Sequence, residues 1–179
     1  YDRIYMEDGT VARVHQEDCC QALGYMPYQK YASDGGPGAR ELIGLFARTD
    51  RAIFNVTTLT RMLFFNYLMG GTDAHAKNYS GMLAEGGSAL IAPMYDVASG
   101  LAYDSLRRRG RLAMSIGGEN RFGRVGSGAL KHYAEAAQAA GAELSYEACR
   151  AGMASLAQEI PAHLAEVFDK MSAAGIPGT

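Results

Sequence analysis

The 179 residues are enough for one domain with a substantial core, and an apolar share of 48% excludes a disordered or fibrous chain. Lys and Arg number 17 against 19 Asp and Glu, so a net charge of −2 excludes a strong nonspecific grip on nucleic acid or anionic membrane, though not a local basic patch. Cys19, Cys20 and Cys149, an odd set with two adjacent and no zinc spacing, are a poor disulfide framework and predict reduced thiols in a cytoplasmic protein.

Residues 1–14 read as an opening strand or hairpin, with Asp8-Gly9 as the turn between Ile4, Tyr5 and Val11, Val14. The first residues are Tyr1-Asp2-Arg3 rather than Met, which predicts a piece of a longer protein. Residues 15–23 read as a short helix with Glu17 and Asp18 in its first turn and Gly24 at its end. Ser33-Asp34-Gly35-Gly36-Pro37-Gly38 is a loop, and a helix over 39–47 carries Leu42, Ile43 and Phe46 on one side. Residues 53–69 are the most apolar helical stretch, apolar nearly all round and so predicted to be buried. Its densest part, 62–69, is interrupted by Asn66 and is far too short to cross a bilayer.

Gly70-Gly71 stops that helix, and a loop runs from Thr72 to Asn78. Two short strands, 79–85 and 88–92, flank the Gly86-Gly87 turn and lead to Pro93-Met94-Tyr95-Asp96. Residues 100–126 read as irregular, with four arginines within 107–111. That run suits an acidic substrate, tRNA or DNA, or is simply a solvated loop, and the solvated loop is preferred. Beyond it, Ala129, Leu130, Tyr133, Ala136, Ala137 and Ala140 keep helical spacing up to Gly141. Residues 144–160 and 161–171 form one or two further helices, with Pro161 suited to a first turn.

The chemistry concentrates in Thr72-Asp73-Ala74-His75-Ala76-Lys77-Asn78. Asp73 and Asn78 have the D-x-x-x-x-N spacing of a kinase catalytic loop, in which the acid receives the acceptor hydroxyl's proton and the amide binds magnesium. Phosphoryl transfer depends on orienting the nucleophile and neutralising phosphate charge, and magnesium prefers hard oxygens. Downstream, a hairpin separates Asn78 from Asp96, so Asp96 is expected to face Asn78 across a metal site. Taken singly, each of the three is an ordinary turn or cap residue; their order is what carries the signal. His75 suits a role in orienting Asp73 or contacting phosphate, against the plainer reading of a structural imidazole. Lys77 suits phosphate neutralisation, against a solvated ammonium.

Several ordered strings together resemble the HipA family. They are Arg13-Val14-His15-Gln16-Glu17-Asp18 with Gln21-Ala22-Leu23-Gly24, Lys30-Tyr31 with Ser33-Asp34-Gly35-Gly36-Pro37-Gly38, the 72–78 loop, Pro93-Met94-Tyr95-Asp96, and Leu112-Ala113-Met114-Ser115-Ile116-Gly117-Gly118. The resemblance implies a mainly α chain with a small β-hairpin, the larger, C-terminal lobe of a kinase-like fold. Within it, 1–14 would be the end of the interlobe hinge and the opening hairpin, 15–99 the catalytic core, and 100–179 the irregular basic segment and C-terminal helices. It implies a serine/threonine kinase of a toxin–antitoxin system linked to persistence, using ATP and Mg2+. Asp73 would be the base, Asn78 and Asp96 the metal ligands, and Tyr1 a contact to adenine. The implied partners are a helix-turn-helix antitoxin, DNA only through that antitoxin, and a protein substrate such as an aminoacyl-tRNA synthetase; no membrane is implied. The family's phosphate-binding loop, ATP-binding lysine and regulatory serine precede the hinge, so these residues are expected to supply one face of the cleft and to be inactive alone. The 33–38 glycines lack the Lys-Ser/Thr of a P-loop and read as a structural turn.

Two other functions compete. One is a non-catalytic module docking an antitoxin as a corepressor, which gives no chemical need for all of Asp73, Asn78 and Asp96. The other is a metal-dependent phosphohydrolase using Asp73 and His75, weakened by the lack of an H-x3-H or HD pair.

Overall fold

The computed structural model describes residues 1–176, with nothing described of the Glu85 side chain; the last three residues of the 100–179 segment lie outside the described residues. Among the described residues, six α-helices and three small sheets make up the fold, so the strands expected over 1–14 and 79–92 are joined by further ones.

The opening hairpin forms as expected. β1 (Arg3–Tyr5) pairs antiparallel with β2 (Val11–Arg13), and Asp8 accepts from the Thr10 amide at 2.9 Å in the turn. Residues 15–18 depart from expectation. His15–Asp18 is a strand, β3, and only α1 (Cys19–Ala22) is helical. β3 pairs with β4 (Ser80–Leu83), His15 opposite Leu83 and Asp18 opposite Ser80, so a partner far along the chain outweighs the local helical pattern. Asp18 becomes the N-cap: its carboxylate accepts from the Gln21 amide at 3.0 Å, while Gln21 Oε1 accepts from the Asp18 amide at 3.0 Å. Cys19 and Cys20 are buried behind it as free thiols, as is Cys149.

α2 (Ala39–Phe46) buries Leu42, Ile43 and Phe46 against α3 (Ala52–Met69). α3 is less uniformly buried than its composition predicts. Ile53 and Phe54 are exposed at its start, whereas the polar Asn55, Thr60 and Asn66 are buried. Each buried polar group has a partner, which is what makes its burial tolerable. Asn55 Nδ2 donates to the Ala89 carbonyl at 2.8 Å and its Oδ1 accepts from the Ile91 amide at 2.9 Å. Thr60 meets the Tyr133 hydroxyl at 3.0 Å, and Asn66 Nδ2 donates to the Tyr79 hydroxyl at 3.1 Å.

β4 continues through the Gly86-Gly87 turn, both glycines at positive φ, to β5 (Ala89–Ile91), completing the sheet β3-β4-β5. The segment 100–126 is more ordered than expected. It holds α4 (Asp104–Arg109) and a hairpin of β6 (Arg111–Ile116) and β7 (Glu119–Arg121). β6 alternates inward Leu112, Met114 and Ile116, a two-residue period that short length and surrounding glycines obscure. α5 (Ser127–Ala139) buries Leu130, Tyr133, Ala134 and Ala137, and Gly141 at φ 91 follows its end. α6 (Tyr146–Ala173) is one continuous helix, so Pro161 lies in its interior rather than in a first turn. Proline there forgoes one backbone hydrogen bond, but the exposed residues around it permit the local adjustment. α3, α5 and α6 pack together around Leu59, Leu63, Phe64, Tyr133 and Leu156.

Candidate active site

α3 ends where Gly70 turns left-handed at φ 70, a position at which a Cβ would also overlap the Leu101 side chain. The Gly71 amide donates back to the Asn66 carbonyl at 2.7 Å, and the chain emerges into the 72–78 loop. The loop is folded on itself. The His75 amide donates to the Asp73 carbonyl at 2.8 Å and to Asn78 Oδ1 at 3.2 Å, and Ala76–Asn78 closes a single 3-10 turn. From the other side, the Ala76 amide donates to the Lys30 carbonyl at 3.2 Å. The glycine-rich 33–38 string follows Lys30-Tyr31 and is tightly packed. Gly36 lies so close to the Gln29 carbonyl that no side chain fits, Pro37 is buried, and Gly38 begins α2.

Asn78 and Asp96, 18 residues apart and separated by the β4-β5 hairpin, are in contact: Asn78 Nδ2 donates to Asp96 Oδ2 at 2.7 Å. Asn78 is buried and Asp96 exposed, so the pair sits at the protein surface with its carboxylate outward. Asp96 has φ 53, and it alone among the described non-glycine residues has positive φ. Such backbone persists only where its surroundings impose it. Tyr95 supplies that constraint: its hydroxyl donates to the Lys77 carbonyl at 2.5 Å and lies 2.5 Å from Ser80 Oγ. Burial pushes this phenol up to about 12, so it stays a donor across ordinary pH.

Asp73 is exposed, and the Tyr31 hydroxyl donates to its Oδ1 at 2.5 Å. That hydrogen bond, ahead of desolvation, raises the Tyr31 pKa. The Tyr31 ring meets the His75 ring edge-on, centroids 5.0 Å apart, and Lys30 Nζ lies 4.9 Å from the Tyr31 centroid. His75 is buried, and its Nδ1 has no hydrogen-bond partner in the protein. Desolvation first, then the nearby Lys30 charge, lowers its pKa and favours the neutral ring.

Lys77 and Tyr1 lie on an adjoining open cleft of about 510 Å³, together with Asp2, Arg13, Gln16, Asp18 and Tyr95. Lys77 Nζ is 3.6 Å from Asp18 Oδ2, and Tyr1 is exposed on the cleft wall. Lys77 and Tyr95, on the cleft wall, are the chain neighbours of Asn78 and Asp96. Tyr1 and Lys77 line this cleft, Asn78 and Asp96 touch each other, and Asp73 and the buried His75 share the 72–78 loop, so the six residues singled out from the sequence gather in one region. Sequence reading did not find Tyr31 or Asp18 as members of it. Tyr31 reaches Asp73 across 42 residues, and Asp18 is disguised as a helix-start charge.

The chain belongs to the HipA-like C-terminal domain family, whose model matches residues 1–171. Among its relatives is the protein named "Putative kinase Y4mE" of Sinorhizobium fredii, 43% identical over 118 residues, covering 65% of this chain and 27% of the relative. Another is the serine/threonine-protein kinase toxin HipA of Shewanella oneidensis, 29% identical over 169 residues, covering 88% of this chain and 37% of the relative. A solved complex of HipA, HipB and operator DNA from the toxin–antitoxin system of Shewanella oneidensis MR-1 superposes with a TM-score of 0.82 at 26% identity. The match covers 94% of this chain and 40% of the matched chain. The chain thus spans well under half the length of these relatives. Among the described residues, no helix is long and apolar enough to cross a membrane.

Proposed function

We propose that this chain is the C-terminal catalytic lobe of a serine/threonine protein kinase within a toxin–antitoxin system, transferring the γ-phosphoryl group of ATP to a protein hydroxyl. The observation that carries the reading is the direct meeting of Asn78 and Asp96, whose chain neighbours Lys77 and Tyr95 line a polar cleft, with Asp73 in the same loop as Asn78. An amide oxygen and a carboxylate are the hard donors that Mg2+ accepts; Asp96 Oδ1 has no hydrogen bond among the described residues, whereas Asn78 Oδ1 accepts from the His75 amide at 3.2 Å and would offer the cation its second lone pair. These residues fit a magnesium–nucleotide group. Bound there, Mg2+ neutralises charge on the nucleotide's phosphates.

The residues of the chain then take distinct parts. Asp96 and Asn78 would hold the cation, with the Tyr95 hydroxyl fixing the loop that presents Asp96. Tyr1 and Gln16 line the part of the cleft suited to the base, and Lys77 stands where it can approach phosphate on leaving Asp18. Asp73, with one carboxylate oxygen held by Tyr31 and the other free among the described residues, orients the acceptor hydroxyl and takes its proton. His75, kept neutral by burial, braces the loop through its backbone rather than acting as a charged group. A helix-turn-helix antitoxin is the partner this reading implies, with DNA reached only through it, as the HipA–HipB–operator assembly of the structural relative illustrates.

The test is incubation of the full-length gene product with labelled ATP and Mg2+. Asp73→Asn should remove phosphate transfer while leaving nucleotide binding in place. Asn78→Ala and Asp96→Ala should each weaken magnesium–nucleotide binding. Transfer that survives Asp73→Asn, or binding indifferent to both metal-site changes, overturns the corresponding assignment.

A further inference from the structure

We infer that Tyr31 is a positioning residue for Asp73, fixing which carboxylate oxygen is free to meet an acceptor hydroxyl. This rests on the reading of Asp73 as the base.

An exposed aspartate on a loop ordinarily samples several rotamers, which blurs the geometry that proton transfer requires. Here one oxygen is tied down. The Tyr31 hydroxyl lies 2.5 Å from Asp73 Oδ1, the short distance typical of an O–H group donating to a carboxylate. Tyr31 is itself held. Its ring meets the buried His75 ring in a T-shaped contact, the Lys30 ammonium lies over its face, and the Lys30 carbonyl receives the Ala76 amide. The main chain on its other side is fixed by two bonds to the Tyr31 carbonyl, from the Asp34 and Gly36 amides at 3.0 Å each. The glycine-rich turn, whose bulk role is structural, thus aims a phenol at the catalytic loop. The hydrogen bond to Asp73, ahead of desolvation, raises the Tyr31 pKa above its ordinary value of 10, so at neutral pH the phenol is a donor. With Oδ1 engaged, Oδ2 is the oxygen left for substrate.

Tyr31→Phe removes the hydroxyl and keeps the ring against His75 and Lys30, so its effect reports the hydrogen bond rather than the packing. In the full-length protein it should lower kcat by about tenfold to a hundredfold, part of what a positioned base contributes. KM for magnesium–ATP and the thermal midpoint should stay close to the parent values. Asp73→Asn, measured in the same assay, sets the full loss of the base against which the partial loss of Tyr31→Phe is read. If Asp73→Asn abolishes transfer but Tyr31→Phe leaves kcat within twofold, the positioning role is wrong and the base assignment stands. If Asp73→Asn itself retains transfer, the base assignment fails. Phosphate mapped to Tyr31 after incubation with ATP would also overturn the inference, since the hydroxyl would then be an acceptor rather than a brace.

Discussion

Asn55→Ala tests whether the hairpin that brings Asn78 to Asp96 is anchored from within α3. Asn55 is fully buried, and one side chain serves both ends of β5, accepting from the Ile91 amide at 2.9 Å and donating to the Ala89 carbonyl at 2.8 Å. It also donates to Thr49 Oγ1 at 2.9 Å, but Thr49 retains its own bond to the Phe46 carbonyl at 2.7 Å. Alanine therefore orphans two backbone groups and leaves the third partner satisfied. At about 1–3 kcal/mol for each buried unpaired group, the loss is about 2–6 kcal/mol. For a protein of this size each kcal/mol moves the thermal midpoint by about 2–4 °C, so a drop on the order of 10 °C is expected. Urea unfolding followed by circular dichroism, paired with a calorimetric scan, measures both quantities. A loss under about 1 kcal/mol would mean that water or a shifted strand replaces the amide, and would refute the anchoring argument.

Gly70→Ala should cost about 1–3 kcal/mol, because φ 70 is strained for alanine and the new methyl group overlaps Leu101; a thermal scan checks it. Asp50 accepts from Ser88 Oγ at 2.7 Å and from the Ala89 amide at 3.2 Å, and the Ser88 bond is the largest cause holding its carboxyl below the ordinary value of 3.8. The unfolded state then binds the proton more readily, so this contribution is present above pH 3.8 and is lost as pH falls through the lower folded value. Asp50→Asn should flatten the acid side of the stability–pH curve, measured by denaturation at stepped pH. Asp18→Asn should release Lys77 from its 3.6 Å partner and make magnesium–nucleotide affinity more sensitive to salt, measured by titration at two ionic strengths. An unchanged salt slope would remove Lys77 from the cleft's electrostatics.

Helices with strong periodicity and marked ends were legible in the sequence. The 39–47 expectation meets α2, and the Gly70-Gly71 stop falls where α3 ends, since left-handed backbone at a helix end selects glycine. The 15–18 segment was not legible as a strand, because its pairing partner lies more than 60 residues away in β4. Nor was β6, whose inward residues are too few to establish a period. Pro161 misled in the opposite direction, as a proline that in isolation marks a helix start is carried inside a long helix by the turns on either side.

The chain's own order of residues determined the acid–x4–amide loop, the hairpin after it and the second acid, because each is set by nearest neighbours and turn chemistry. Only tertiary structure decided that Asn78 and Asp96 touch, that Asp18 faces Lys77, and that Tyr31 holds Asp73. Those contacts join residues tens of positions apart, and such distances close only when the core beneath them has packed.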